Sequence, residues 1–324
     1  MLPLTKFIIC AFLIYFAGSR LSKYGDIIAE KSGLGHAWIG LVLLAAITSL
    51  PELVNGISAV AFVGEPDFAV GNILGACLIN MAVIGGLDLY QYSRKKEMVF
   101  SVINSSNRLI VYIGSLMVLV FIVGVFYSQK FIDISLAGVG IFTLLIFLTY
   151  LIAQKLIFEK AKNNRNTGLQ AKQNVVQQIY IKFLSLALLV IACGIWLPYI
   201  GDEMALVYGL GNSFVGVFFL GIATTLPELV VSSTALKYSV DMSVGNLLGS
   251  NIFNLSLLFI FDIFYRKGSL FSQVSFGQFV ISCFLLFSFL LVIYAAKAKT
   301  KNRVVSFGLI FSYIIGIFCL YLVK

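Results

Sequence analysis

Apolar runs, each about the length of a bilayer crossing, follow one another along this chain with few pauses. A membrane-spanning helix needs about 20 predominantly apolar residues. Ten stretches meet that requirement: 4–22, 37–62, 68–92, 108–128, 133–157, 179–199, 212–236, 243–265, 272–296 and 304–322. The connections are short except for a basic, Asn- and Gln-rich linker at 158–178, which separates a first half (1–157) from a second (179–324), each with five spans. The pattern predicts an all-α polytopic membrane protein of ten transmembrane helices.

The polar positions inside the runs carry the next layer. Glu52 is the only charge between Ala37 and Phe62, and a carboxylate at that depth costs several kcal/mol unless it is paired, protonated or bound to a cation. Pro51 beside it cannot donate a backbone hydrogen bond and clashes with the carbonyl four residues back, so the helix should kink or break there. Ile47-Thr48-Ser49-Leu50-Pro51-Glu52-Leu53 returns as Ala223-Thr224-Thr225-Leu226-Pro227-Glu228-Leu229, 176 residues later. Val70-Gly71-Asn72, Leu74-Gly75, Asn80 and Asp88 return 174 residues later as Val244-Gly245-Asn246, Leu248-Gly249, Asn254 and Asp262. The halves are therefore repeats. Five spans per half is an odd number, so the second copy enters the membrane upside down. Two inverted five-helix repeats with broken helices at the midplane are the mark of secondary transporters.

On a helix, i, i+4 and i+8 share a face, which aligns Asn72, Ala76 and Asn80 in one copy and Asn246, Ser250 and Asn254 in the other. Inversion brings Glu52 and Glu228 across a shared site with Thr48, Ser49, Thr224, Thr225, Asn80 and Asn254. An all-oxygen cage of this kind suits hard cations such as Ca²⁺ and Na⁺. Two carboxylates balance one Ca²⁺ and repel each other when alone, so protons should compete with cations. Each Thr, Ser or Asn has an alternative use as a helix–helix hydrogen bond, whereas the repeated Pro-Glu has no ready structural account. Asp88 and Asp262, near span ends, read as interfacial caps, and Asp26 and Asp202 as parts of matched turns.

Composition narrows the field. The chain is 60% hydrophobic and 11% charged, against about a quarter charged in soluble domains. The net charge of +9 comes from Lys and Arg at the ends of apolar runs, which speaks for topology rather than a nucleic-acid partner. Loops after the odd-numbered spans hold sixteen basic residues and the opposite side five, placing both termini outside the cytoplasm; Arg266 and Lys267 argue against that assignment. The apolar run after Lys6 has no small-residue cleavage site and reads as a first span of an integral inner- or plasma-membrane protein. His36 is the only histidine and the five cysteines form no CxxC pair, so a His- or Cys-based metal site is not expected.

At AITSLPEL with GNILGACLIN, and IATTLPEL with GNLLGSNIFN, the chain resembles the sodium/calcium exchanger family of the cation/Ca²⁺ antiporter superfamily, prokaryotic type, with two alpha repeats. The resemblance covers essentially the whole chain. It implies an antiporter moving Ca²⁺ against Na⁺ by alternating access, with spans 2, 3, 7 and 8 forming the site and spans 1 and 6 sliding past them. It makes Glu52 and Glu228 the Ca²⁺ carboxylates and Thr48 and Thr224 donors of backbone carbonyls. Ser49, Thr225 and Ser250 would give hydroxyls to flanking Na⁺ sites, beside the backbones of Ala45 and Gly221. Two departures stand out. Where the family usually has Gly-Ser-Asn, the first repeat has Gly75-Ala76-Cys77; and Asn254 stands where many members carry Asp. The first removes a hydroxyl ligand and weakens the Na⁺ site on the Ala76 side, which leaves an H⁺-coupled cation antiporter of the same fold as the alternative. A cation channel fits poorly, because channels build pores by oligomeric symmetry. No Ser/His pairing or HExxH supports an enzyme. Expected partners are the bilayer and inorganic cations; no cofactor is expected beyond the transported ions, and no protein partner can be inferred.

Overall fold

The computed structural model describes residues 2–31, 48–131, 134–136, 138–163, 177–237, 239–299 and 303–323. Its long helices are α1 (Pro3–Lys31), α3 (Pro66–Ser93), α4 (Ser105–Lys130), α6 (Gln177–Tyr208), α7 (Asn212–Ala235), α8 (Val240–Phe264), α9 (Phe276–Ala298) and α10 (Val304–Leu322). Among the described residues these are the eight long and apolar enough to cross a membrane. Two further helices carry shorter apolar stretches: α2, Leu50–Val63, and the Ile141–Ile157 part of α5 (Ile141–Asn163).

Eight of the ten expected spans fall on helices long enough to cross a membrane, and the second and fifth fall on the two shorter ones. Residues 37–47 of the second expected span lie outside the described residues. The fifth begins later than the apolar pattern suggests, because an antiparallel hairpin (Ser135–Leu136 with Val139–Gly140) occupies its start. Gly138, at φ +86°, allows the turn. The Asp262 carboxylate then accepts from Gly140 N at 2.8 Å and from the Thr143 hydroxyl, starting α5.

Asp26 and Asp202 do not sit in turns. Both fall inside long helices, α1 and α6, which run on together. α6 ends only at Gly209, whose φ of +61° permits a left-handed cap, with Leu210 N bonding back to Ala205 O. Packing between two long helices has overridden the local Gly-Asp turn signal. Lys6, near the start of α1, pairs with Glu203, near the end of α6.

The packing is paired throughout. α1 lies on α6 and α7, and α6 on α1 and α2; α3 lies on α9 and α10, and α8 on α4 and α5. Side-chain contacts repeat the correspondence. Asp67, opening α3, accepts from Ser275 N, while Gln278 donates to the Asp67 carbonyl. Asp241, opening α8, accepts from Asn104 N, while Asn107 donates to the Asp241 carbonyl. At the far ends, Asp88 takes Phe100 N and the Ser306 hydroxyl, and Asp262 takes Leu270 N and the Thr143 hydroxyl. Asp88 and Asp262 are caps, as their positions imply: each satisfies the first N–H groups of a one-turn helix, Val99–Val102 or Leu270–Gln273.

The α3–α7 contact positions the site most tightly. A Cβ at Gly75 would lie 2.2 Å from Val217 O, one at Gly216 2.8 Å from Asp67 O, and one at Gly221 3.2 Å from the Gly75 backbone. Only glycine lets two backbones approach so closely, the packing device expected where lipid removes the hydrophobic drive for helices to associate.

Candidate cation site

The two Pro-Glu segments are held differently. In the first, the helix is interrupted at Ser49 (φ −88°, ψ 13°) and restarts at Leu50, so Pro51 falls in a first turn, where its missing N–H costs nothing. In the second the expected break is absent. α7 runs through Pro227, and the irregularity lies upstream, where Val215–Leu220 is wound as a π-helix. The Thr224 and Thr225 hydroxyls bond to the carbonyls of Leu220 (3.1 Å) and Gly221 (2.6 Å), holding this turn together, and the Pro227 ring seats against Gly18 of α1.

Both glutamates are fully buried, on helices α2 and α7 that touch each other. Ser49 donates to Glu228 Oε1 at 3.1 Å. Among the described residues, neither oxygen of Glu52, nor Oε2 of Glu228, has a hydrogen-bond partner. Unpaired carboxylate oxygens at zero exposure are among the costliest groups a fold can hold.

The surrounding polar groups sort into two kinds. Thr224 donates to Asn72 Oδ1 at 2.8 Å, Asn246 to the Ser232 hydroxyl at 2.8 Å, and Asn80 to Asn251 Oδ1 at 2.9 Å. These tie helices together. Among the described residues, the Ser250 hydroxyl, Asn80 Oδ1 and both amide atoms of Asn254 are buried without a partner. Thr48 is buried with the set, and the Thr225 hydroxyl and the Gly221 carbonyl bond to each other. Ala45 lies outside the described residues. Ala76 is buried opposite Ser250 in the repeat and contributes no oxygen.

Two residues escaped the sequence reading. Asn251 stands one position off the Asn246/Ser250/Asn254 stripe, yet it bridges α8 to α3 through Asn80 and the Cys77 carbonyl. Its signal was the contrast of Gly-Ser-Asn with Gly75-Ala76-Cys77. Asn55, one turn beyond Glu52, is buried with both amide atoms unpartnered; its i+3 spacing from Glu52 put it on the same face.

A buried pair of carboxylates where paired helices meet, within a bundle of membrane-length helices, fits the architecture of a secondary ion transporter. The sequence model of the family described as "Sodium/calcium exchanger protein" matches residues 3–156 and 179–322. The chain belongs to that family. It is 24% identical over 299 residues to an uncharacterized membrane protein of Methanocaldococcus jannaschii, covering 90% of each chain. It is also 24% identical over 274 residues to the sodium/calcium exchanger MaX1 of Methanosarcina acetivorans, covering 73% of this chain and 75% of that one. Solved structures of the sodium-calcium exchanger NCX_Mj share the fold, with a TM-score of 0.62 at 21% identity over 98% of both chains for the form soaked with 2.5 mM Na⁺ and 0.1 mM Ca²⁺.

Proposed function

We propose that this protein is a secondary active antiporter that exchanges Ca²⁺ for Na⁺ by alternating access, the transported ion lying between Glu52 and Glu228 near the bilayer midplane. The observation that carries the proposal is a pair of fully buried carboxylates with three of their four oxygens lacking any hydrogen-bond partner. Such a pair is held at low cost only with a cation or protons between its members. Ser250, Asn80 and Asn254 complete an oxygen set suited to a hard divalent ion, and Thr48, Ser49, Thr224, Thr225 and the Gly221 carbonyl line its flanks. In this reading α2 is the second part of a span that starts before Thr48, the chain forms two inverted five-helix halves joined by the 158–178 linker, and both termini are extracytoplasmic.

Ala76 supports a second reading in which protons replace Na⁺, since its methyl group supplies no oxygen beside the pair. One experiment separates the two. Purified protein in sealed vesicles, with pH clamped across the membrane by ionophore, takes up Ca²⁺ when an outward Na⁺ gradient is imposed. Absence of Na⁺-driven uptake, together with uptake driven by an imposed pH gradient, overturns Na⁺ coupling in favour of protons. Absence of both overturns antiport.

A further inference from the structure

Near-twofold pairing at the centre of the bundle is uneven at Cys77 and Asn251. Cys77 and Asn251 occupy corresponding positions, 174 residues apart, and each reaches the other's main chain: Cys77 Sγ donates to Asn251 O at 3.6 Å, and Asn251 Nδ2 donates to Cys77 O at 3.2 Å. Asn251 has a second polar atom, and its Oδ1 accepts from Asn80 at 2.9 Å. That bond fixes the Asn80 amide and leaves its Oδ1 as a buried, unpartnered oxygen. Asn254 corresponds to Asn80, and the residue placed to hold it is Cys77. A thiol already committed to a carbonyl has no strong acceptor to offer. Both amide atoms of Asn254 are accordingly buried without a partner.

We propose that Cys77 is a specificity-determining position that makes the cation cage stiff on the Asn80 side and compliant on the Asn254 side. The proposal rests on the two-glutamate site described above and refines it. Selection among hard divalent cations depends on cavity size, ligand number and ligand rigidity. A cage with one tethered amide and one free amide can draw in around Ca²⁺ or open around the larger Sr²⁺. Restoring the missing tether should penalise the larger ion.

The test is thermal unfolding of the purified full-length protein, titrated separately with CaCl₂ and SrCl₂ and read as the ratio of the two half-saturating concentrations. Cys77→Asn supplies an Oδ1 for the Asn254 amide. It should raise the Sr²⁺/Ca²⁺ ratio by about fivefold, the factor carried by one net neutral hydrogen bond. A Cys77→Asn protein protected by both ions at the wild-type ratio overturns the proposal. If that variant does not fold, Cys77→Ser takes its place, because its hydroxyl can bond Asn254 at nearly unchanged volume; an unchanged ratio there refutes the idea equally. Failure of either ion to protect the wild-type protein is a different outcome, refuting the two-glutamate site and the role of Cys77 with it.

Discussion

Glu52→Gln is the sharpest probe of the site, because among the described residues the Glu52 carboxylate has no hydrogen bond to lose. Neither of its oxygens has a hydrogen-bond partner, while Glu228 keeps a bond from Ser49 at 3.1 Å. Gln preserves the side-chain volume and removes one of the two charges. Taking away one partner of a buried ion pair costs about 3–5 kcal/mol, and about 1.4 kcal/mol is tenfold in binding. Ca²⁺ affinity should therefore fall by roughly a hundredfold to a few thousandfold. Relief of carboxylate repulsion acts the other way on the ion-free protein, whose unfolding temperature should hold or rise. The assay is thermal unfolding with and without Ca²⁺, paired with tracer Ca²⁺ uptake into vesicles. A variant that unfolds at or above the wild-type temperature without ions, gains nothing from Ca²⁺ and transports none is the expected result. A loss of affinity smaller than about tenfold would falsify the assigned role, since it would mean that less than about 1.4 kcal/mol of Ca²⁺ binding passes through Glu52.

Glu228→Gln should abolish uptake as well, and substantial residual Ca²⁺ transport would sink the paired-carboxylate reading. Acidification should raise the Ca²⁺ concentration needed for half-maximal uptake, because protons and cations compete for the same oxygens; a pH-independent value argues against shared sites. Gly75→Ala puts a methyl group 2.2 Å from Val217 O, a backbone atom with nowhere to rotate. It should cost at least the 1–3 kcal/mol typical of overpacking and reduce transport, to be checked by unfolding and uptake. Lys6→Ala removes the α1–α6 ion pair, whose side chains are 28% and 38% exposed. Such exposed pairs are worth about 0–1 kcal/mol, so a fall in unfolding temperature comparable to that of Gly75→Ala would contradict this estimate.

The site was legible because its chemistry is written twice. A Pro-Glu pair inside an apolar run, repeated at a constant offset, announces both the burial of Glu52 and its partner Glu228 before any geometry is known. The Asp88 and Asp262 caps were readable for the same reason. What escaped were the places where the copies differ. Pro51 and Pro227 have the same neighbours, yet a turn at Ser49 precedes the first while the second lies inside a continuous helix, its ring seated against Gly18 of α1. Asp202 carries a turn signal that packing between α1 and α6 overrules. Asn251 was missed because a strict four-residue stripe ignores its neighbours, and its value lies in a contact across helices rather than along one.

The paired aspartates also bear on how the chain is made. Asp67 bonds to a residue 208 positions later and Asp88 to one 218 positions later. The central helix of the first half is thus clasped at both ends by helices that leave the ribosome last, while Asp241 and Asp262 of the second half are clasped by helices synthesised long before them. Neither half closes on itself. The early helix gains its bonds to Ser275 and Ser306 only once the final hairpin is in place, so the two halves complete each other late, like hands interlaced rather than cups stacked.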